Sequence, residues 1–240
     1  SGNTNHFAVN NLTAVDQTVD TCTNNFSTIN ALDNFYFGGT LSEGNVKVLS
    51  IAGVESYITN TIPVATGKWY WEIKITASGS GKEFVGIVDK VSTNTNFTPY
   101  SDNTQAISYY GSNGHAKAGS GSSNSSYGDT FGAGDIIGVA MDLDNNKLYF
   151  SKNGTFQDSG DPTSGSTGTG ALAIPATPHD GVYYAQFANI HNTASTFEAN
   201  FGNPSFTGTD QADGNGFGSF EYAVPSGYFA LCTKNLASNG

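Results

Sequence analysis

The stretch from Tyr127 to Gly154, YGDTFGAGDIIGVAMDLDNNKLYFSKNG, constrains the fold of this chain more than any other. The apolar run Ile136, Ile137, Val139 and Ala140 is bounded by Gly and Asp, and Leu148, Tyr149 and Phe150 resume it. Between the two lies Asp144-Asn145-Asn146-Lys147. Asp and Asn tolerate left-handed backbone and bond their own main chain, so this interval predicts a tight turn joining two strands. Asn153-Gly154 closes the second strand. The pattern is the hairpin of a β-sandwich.

The strongest single strand is predicted at 67–75. Trp69, Trp71, Ile73 and Ile75 share one face by period two, with Lys68, Tyr70, Glu72 and Lys74 on the other. Further strands are expected at 46–51, 56–62, 84–88, 107–110, 172–176, 182–188 and 196–201, with 220–231 closing the fold. Residues 91–104, 157–170 and 207–218 are polar or Gly-rich loops, and 111–126 is expected to be too polar to pack. Residues 1–45 are rich in Asn, Thr and Asp, but apolar anchors such as Val19, Phe26 and Ile29 recur. They predict extended segments laid against the sandwich. No helical periodicity is evident.

Composition agrees with an all-β chain and narrows its partners. Only 12% of the 240 residues are charged, and Gly, Ser, Thr and Asn are abundant, which suits short strands and turns. The net charge is −11, and all nine basic residues are Lys. Nucleic-acid binders need a basic face to displace phosphate counterions, so that role is not expected, and neither is attraction to anionic membranes. No apolar run reaches the roughly 18 residues that span a bilayer. Cys22 and Cys232 lie near opposite ends, either as a disulfide closing the domain or as two separate thiols. Their spacing does not suit a metal cluster.

Catalytic patterns are weak. Asp142, Asp144 and Asn146 imitate a calcium loop, but the position that demands a bidentate Glu falls on Asn153. His6, His115, His179 and His191 are scattered. Glu72 and Glu83 are the sole carboxylate pair worth weighing for glycoside hydrolysis, and they lack the closely spaced acids expected on one strand. No nucleophile elbow or phosphate loop occurs. No catalytic residue, metal site or cofactor is expected.

Several of these pieces, in order, resemble the SPRY family. "GKWYWEIKI" at 67–75 is similar to its first signature strand and "VGIVDK" at 85–90 to the next. The run from Ser108 to Gly119 corresponds to its variable region, and 127–154 to its core hairpin. "EANFG" at 198–202 and "PSGYFALC" at 225–232 resemble its closing strand and tail. The resemblance covers about 45–235. It implies a two-sheet antiparallel β-sandwich of concanavalin A-like, jelly-roll type that meets ligands through loops at one end.

Such a fold gathers Tyr100, Tyr109, Tyr110, Asn113, His115 and Tyr127 in or beside loops at one rim. Aromatic faces stack on sugars or anchor protein contacts, while amides fix hydroxyls. The segments 9–34 and 227–236 resemble those flanking SPRY-like modules in structural proteins of tailed bacteriophages and marine viruses, although Cys22 replaces a usual Pro. The expected organisation is an N-terminal extension over 1–45, a SPRY-like sandwich over 46–236 and a tail at 237–240. The expected function is a non-enzymatic virion adhesion module, exposed on the particle, that binds host-surface glycan or protein through the rim. The alternative is a capsid or tail decoration protein making only assembly contacts with other virion proteins or with its own copies. A glycan-active enzyme is the remaining class.

Overall fold

The computed structural model of the chain describes residues 20–33, 39–54, 56–79, 82–91, 105–118, 125–189, 193–206 and 208–240. In chain order the strands are β1 (Thr40–Ser42), β2 (Lys47–Leu49), β3 (Ser56–Thr59), β4 (Lys68–Ala77) and β5 (Glu83–Val88). Then come β6 (Ile107–Tyr110), β7 (His115–Ala118), β8 (Ser125–Ser126), β9 (Ile136–Asp142) and β10 (Lys147–Lys152). The last are β11 (Thr155–Phe156), β12 (Leu172–Ala173), β13 (Tyr184–Asn189), β14 (Thr196–Asn200) and β15 (Phe229–Ala230), followed by helix α1 (Thr233–Asn239).

These strands form two sheets. One runs β1-β2-β14-β4-β9-β10-β11, with β12 on β10 and β15 beside β4, and the other runs β3-β13-β5-β6-β7-β8. All pairings are antiparallel except that of β15 with β4. The expected all-β, two-sheet antiparallel sandwich is therefore the observed architecture. Between the sheets lie Trp69, Trp71, Ile73 and Ile75 of β4, every one fully buried. They meet Val85, Ile87, Tyr109 and Phe187 of the facing sheet in one core. Rings bridge the layers directly, as Phe187 of β13 lies 5.4 Å from Phe197 of β14.

The 127–154 stretch folds as its turn residues dictate. Lys147 pairs with Asp142, and the Asp142 carboxylate accepts from the Asn145 backbone N–H at 2.9 Å and from the Asn145 side chain at 2.8 Å. Asp142 also pairs with Lys68 at 3.0 Å, and Asp144 accepts from the Gly67 N–H at 2.9 Å. Both carboxylates thus serve the turn and its neighbour. Asn153 and Gly154 have φ of 49° and 82° and connect β10 to β11 as a two-residue hairpin.

The polar face expected on β4 is not solvent-facing. Tyr70 and Glu72 are buried beneath residues 217–232, where Phe220, Tyr228, Ala230, Cys232 and the incoming Phe26 build a second core. Residues 27–30 dock on the sandwich by backbone bonds, with Ser27 N–H donating to Leu231 O at 2.8 Å and Asn30 N–H to Thr59 O at 2.8 Å. Three further departures correct the sequence reading. The 111–126 region contributes β7 and β8, 157–167 contains single 3-10 turns, and the chain ends in a helix. Cys22 is exposed and Cys232 buried, and both thiols are free, so the disulfide alternative is not the one observed.

Candidate binding surface

The sequence-predicted site residues divide between the two faces of β6. Ile107 and Tyr109 share the inward parity, and Tyr109 is fully buried among Tyr127, Phe131 and Phe150 with ring centroids 5.5, 5.0 and 5.6 Å away. Its hydroxyl donates to the Asp129 carbonyl oxygen. Tyr127 is buried too, its hydroxyl accepting from Phe150 N–H at 3.2 Å and donating to Gly170 O at 3.3 Å. Burial pushes both phenols well above their usual pKa. This corrects the expectation for Tyr109 and Tyr127, which are core residues and offer no ring to a ligand. Tyr100 lies outside the described residues.

Tyr110 points the other way. It is half-buried on the outer face of the six-stranded sheet, with its ring 5.4 Å from Phe84. Phe84 in turn packs 5.7 Å from Tyr57, and Ala188 completes this small apolar cluster. Phe84 takes this face because its neighbours Val85 and Ile87 occupy the inter-sheet core. Beyond Tyr110 the chain turns through Gly111 to Gly114, and Asn113 braces the turn by accepting from His115 N–H at 3.0 Å. Asn113 is exposed and His115 half-buried at the start of β7. Three of the six predicted residues, Tyr110, Asn113 and His115, are therefore brought together at the β6–β7 turn of the six-stranded sheet.

The two acids weighed for catalysis are far apart in role. Glu72 lies on the outer side of the nine-stranded sheet, where it accepts from Tyr70 Oη at 3.1 Å, Asn200 Nδ2 at 3.0 Å, and the N–H groups of Glu221 and Tyr222 at 2.9 Å each. Burial holds its carboxyl above the usual range against these four donors. It anchors the C-terminal segment and faces no cleft. Glu83 opens β5 on the facing sheet and accepts from Ser195 Oγ at 2.6 Å. Lying in different sheets and bonded into separate networks, they form no hydrolytic pair.

Sequence reasoning gave no sign of the contact between His179 and Asp89. His179 Nδ1 lies 2.6 Å from the fully buried Asp89, which also accepts from the backbone N–H groups of Gln105 and His179 at 2.8 and 2.9 Å. The partners are 90 positions apart in the chain, a separation at which no local pattern signals contact. Their geometry clamps the 179 loop to the end of β5. Among the described residues no group of three or more His, Cys, Asp or Glu side chains is placed to hold a metal, and no helix is long and apolar enough to cross a membrane.

Residues 68–176 match the family model described as the SPRY domain. The chain is 37% identical over 97 residues to Ran-binding protein 9 of Danio rerio, a match covering 40% of this chain and 16% of that protein. The human Ran-binding protein 9 shows the same identity over 40% of this chain and 13% of its own length. A Drosophila melanogaster protein named as a Ran-binding proteins 9/10 homolog is 33% identical over 94 residues, 39% of this chain and 10% of that protein. The chain thus spans about a sixth or less of the length of these relatives. Among solved structures, the SPRY domain of human HERC1 aligns with a TM-score of 0.49 at 15% identity, over 67% of this chain and 91% of that one.

Proposed function

Taking residues 68–176 as a SPRY domain, we propose that this chain is a non-enzymatic recognition module that grips a protein partner with the outer face of its six-stranded sheet at the β6–β7 turn. The observation that carries this reading is Tyr110, half-exposed and backed by the buried rings of Phe84 and Tyr57. A ring held in place by packing loses little conformational entropy on binding, and Tyr is enriched among the anchors of interfaces. Asn113 and His115 stand beside it with polar groups to fix orientation. The relatives carry a name for binding a protein, Ran, which favours a protein partner over a glycan. They are matched over too little of their length for that partner itself to be carried over.

The wider setting rests on the resemblance of 9–34 and 227–236 to the flanks of SPRY-like modules in phage and marine-virus structural proteins. The Arg-free, acidic, Asn- and Thr-rich composition suits such a surface. On this reading the module sits on the outside of a virion and binds a host-surface protein or glycan. A second reading, assembly contact with other virion proteins or with its own copies, is favoured by Leu49 of β2 and by Ile51 just after it, 49% and 46% exposed.

A random-peptide display screen run beside a glycan array tests the proposal. Peptides enriched on the wild-type chain and lost on Tyr110→Ala are expected, with the array silent. Ligands retained by Tyr110→Ala would move the site elsewhere, and array binding without peptide enrichment would replace the protein partner with a sugar.

A further inference from the structure

The chain holds four Asn-Gly pairs, opened by Asn113, Asn153, Asn215 and Asn239. This dipeptide carries a reaction of its own. Glycine has no Cβ to shield its backbone nitrogen or restrict its approach, so that nitrogen can reach the carboxamide carbon of the preceding Asn. In a folded chain the outcome depends on what holds the two groups.

Three of the four side chains are tied to other parts of the fold. Asn153 is held at both ends, its Oδ1 accepting from Ile136 N–H at 2.9 Å and its Nδ2 donating to Asp135 Oδ1 at 2.7 Å. Asn215 Nδ2 donates to Asn235 Oδ1 at 2.8 Å, which fastens it to α1. Asn239 lies in α1 itself, with Nδ2 donating to Asn235 O at 3.2 Å. The helix also points the Gly240 N–H back at Leu236 O, 3.1 Å away. In each pair the nitrogen that would depart is engaged, and the side chain is kept from swinging onto the next peptide.

Asn113 differs on both counts. It is exposed in the β6–β7 turn, and its hydrogen bond stays within that turn, Oδ1 accepting from His115 N–H at 3.0 Å. Among the described residues nothing holds its Nδ2. A bond from the residue two along closes a ring that contains the Gly114 nitrogen, so the carboxamide is folded toward the peptide that would attack it. The same N–H is aimed at the oxygen on which negative charge would collect, as a donor of an oxyanion hole is. Gly114 is dictated by the fold. Its φ is 67°, its carbonyl accepts from Tyr127 N–H at 3.1 Å and Gly128 N–H at 2.8 Å, and a Cβ there would lie 1.9 Å from Gly128 O. One contact opposes the reaction, since Gly114 N–H donates to Tyr110 O at 3.1 Å and must be released before it can lose its proton.

We propose that Asn113 is a self-modification site, the one Asn-Gly pair at which the folded chain deamidates. The Gly114 nitrogen gives up its proton and bonds to Asn113 Cγ, the Cγ–Nδ2 bond breaks, and ammonia carries that proton away as a succinimide closes. Water then opens the ring at either carbonyl, leaving an aspartate or an isoaspartate at position 113. No oxidant and no partner is needed, so the reaction proceeds whether or not Tyr110 contacts another protein. The product sets a carboxylate beside Tyr110 and His115 and makes the net charge of −11 one unit more negative. Isoaspartate also lengthens the backbone just where β7 begins.

Native protein incubated at neutral and at mildly alkaline pH, then separated by charge and mapped by peptide mass spectrometry, tests this. A more acidic species is expected to accumulate, with aspartate and isoaspartate both found at position 113 and ammonia released in step. Conversion at Asn113 should be several-fold faster than at Asn153, Asn215 or Asn239. It should quicken at the higher pH, because the attacking nitrogen must lose its proton. In denaturant the four sites should convert at similar rates, all faster than Asn113 in the native chain. Asn113→Gln, whose longer side chain would have to close a larger ring, should remove the acidic species without changing Tm. An unchanged Asn113 in native protein, under conditions where the denatured chain converts, would overturn the proposal. So would a native rate at any of the other three sites that equals or exceeds that at Asn113, or an acidic species that survives Asn113→Gln.

Discussion

Replacing Glu72 with Gln separates an anchoring role from a catalytic one. The carboxylate takes four donors, two on each oxygen. An amide keeps one oxygen and turns the other into a donor. Placed on the Asn200 and Glu221 side, the new NH2 would strand two donors. On the other side it meets Tyr70, whose hydroxyl rotates to accept, and strands the Tyr222 N–H alone. The second orientation is favoured, so one buried backbone N–H loses its acceptor at a cost of about 1–3 kcal/mol. The surviving bonds also lose their charge assistance, while relief of burying a charge offsets part of the loss. The net is about 2 kcal/mol, which for a chain this size lowers Tm by about 4–8 °C. Calorimetry at neutral pH measures it, and hydrogen exchange should show the Tyr222 amide deprotected while the Glu221 amide keeps its acceptor. A Tm within about 1 °C of wild type, with the Tyr222 amide still protected, would refute the anchoring role.

The same pair of proteins carries a pH prediction. Burial places the Glu72 pKa above its ordinary 4.5 in the folded chain, so the folded state holds that proton more tightly than the unfolded one. Its contribution to stability is therefore greatest below the unfolded value and declines as pH rises through the raised one. Gln does not titrate. The Tm gap between wild type and Glu72→Gln should be widest near pH 4 and narrow on going to neutral pH; a gap that widens instead would reverse the assigned direction.

Other outcomes follow from particular side chains. Tyr109→Ala removes a ring from the core and should cost roughly 3–5 kcal/mol, read by chemical denaturation, whereas Tyr110→Ala should change stability by less than about 1 kcal/mol. Native protein treated with a thiol reagent should label at Cys22 alone, and Cys232, whose thiol burial pushes up, should react only on unfolding. Gly154→Ala forces a side chain into left-handed backbone at φ 82° and within 2.6 Å of the Tyr222 ring. It should lower stability by about 1–3 kcal/mol in a thermal melt.

The fold was legible wherever side-chain alternation and turn chemistry coincide. β4 shows it through its inward Trp, Trp, Ile, Ile series, and β9–β10 through its Asp and Asn turn. The outer face of β4 was not, because period two tells that Tyr70 and Glu72 point away from the core but not that residues 217–232 return to cover them. β7 escaped notice because Ala116 and the half-buried Ala118 are all it gives to the inter-sheet core, and the strand owes its existence to pairing with β6. Helix α1 begins after Cys232, which makes no side-chain cap bond, so the usual start signal is missing. Within the site, Ile107 and Tyr109 carried the parity that marks Tyr109 as inward and Tyr110 as outward. That signal lay in the sequence, overshadowed by the neighbouring loop. The Asp89–His179 and Glu83–Asn189 contacts join segments far apart in the chain, and no local spacing announces them.

Amide chemical-shift mapping with a display-selected peptide puts the recognition face to its most direct test. Perturbations should concentrate on Tyr110 through Lys117 and on Phe84 beneath them. Shifts confined to the groove beside α1, around Asn215, Phe217 and Lys234, would place the binding surface on the opposite sheet and contradict the account.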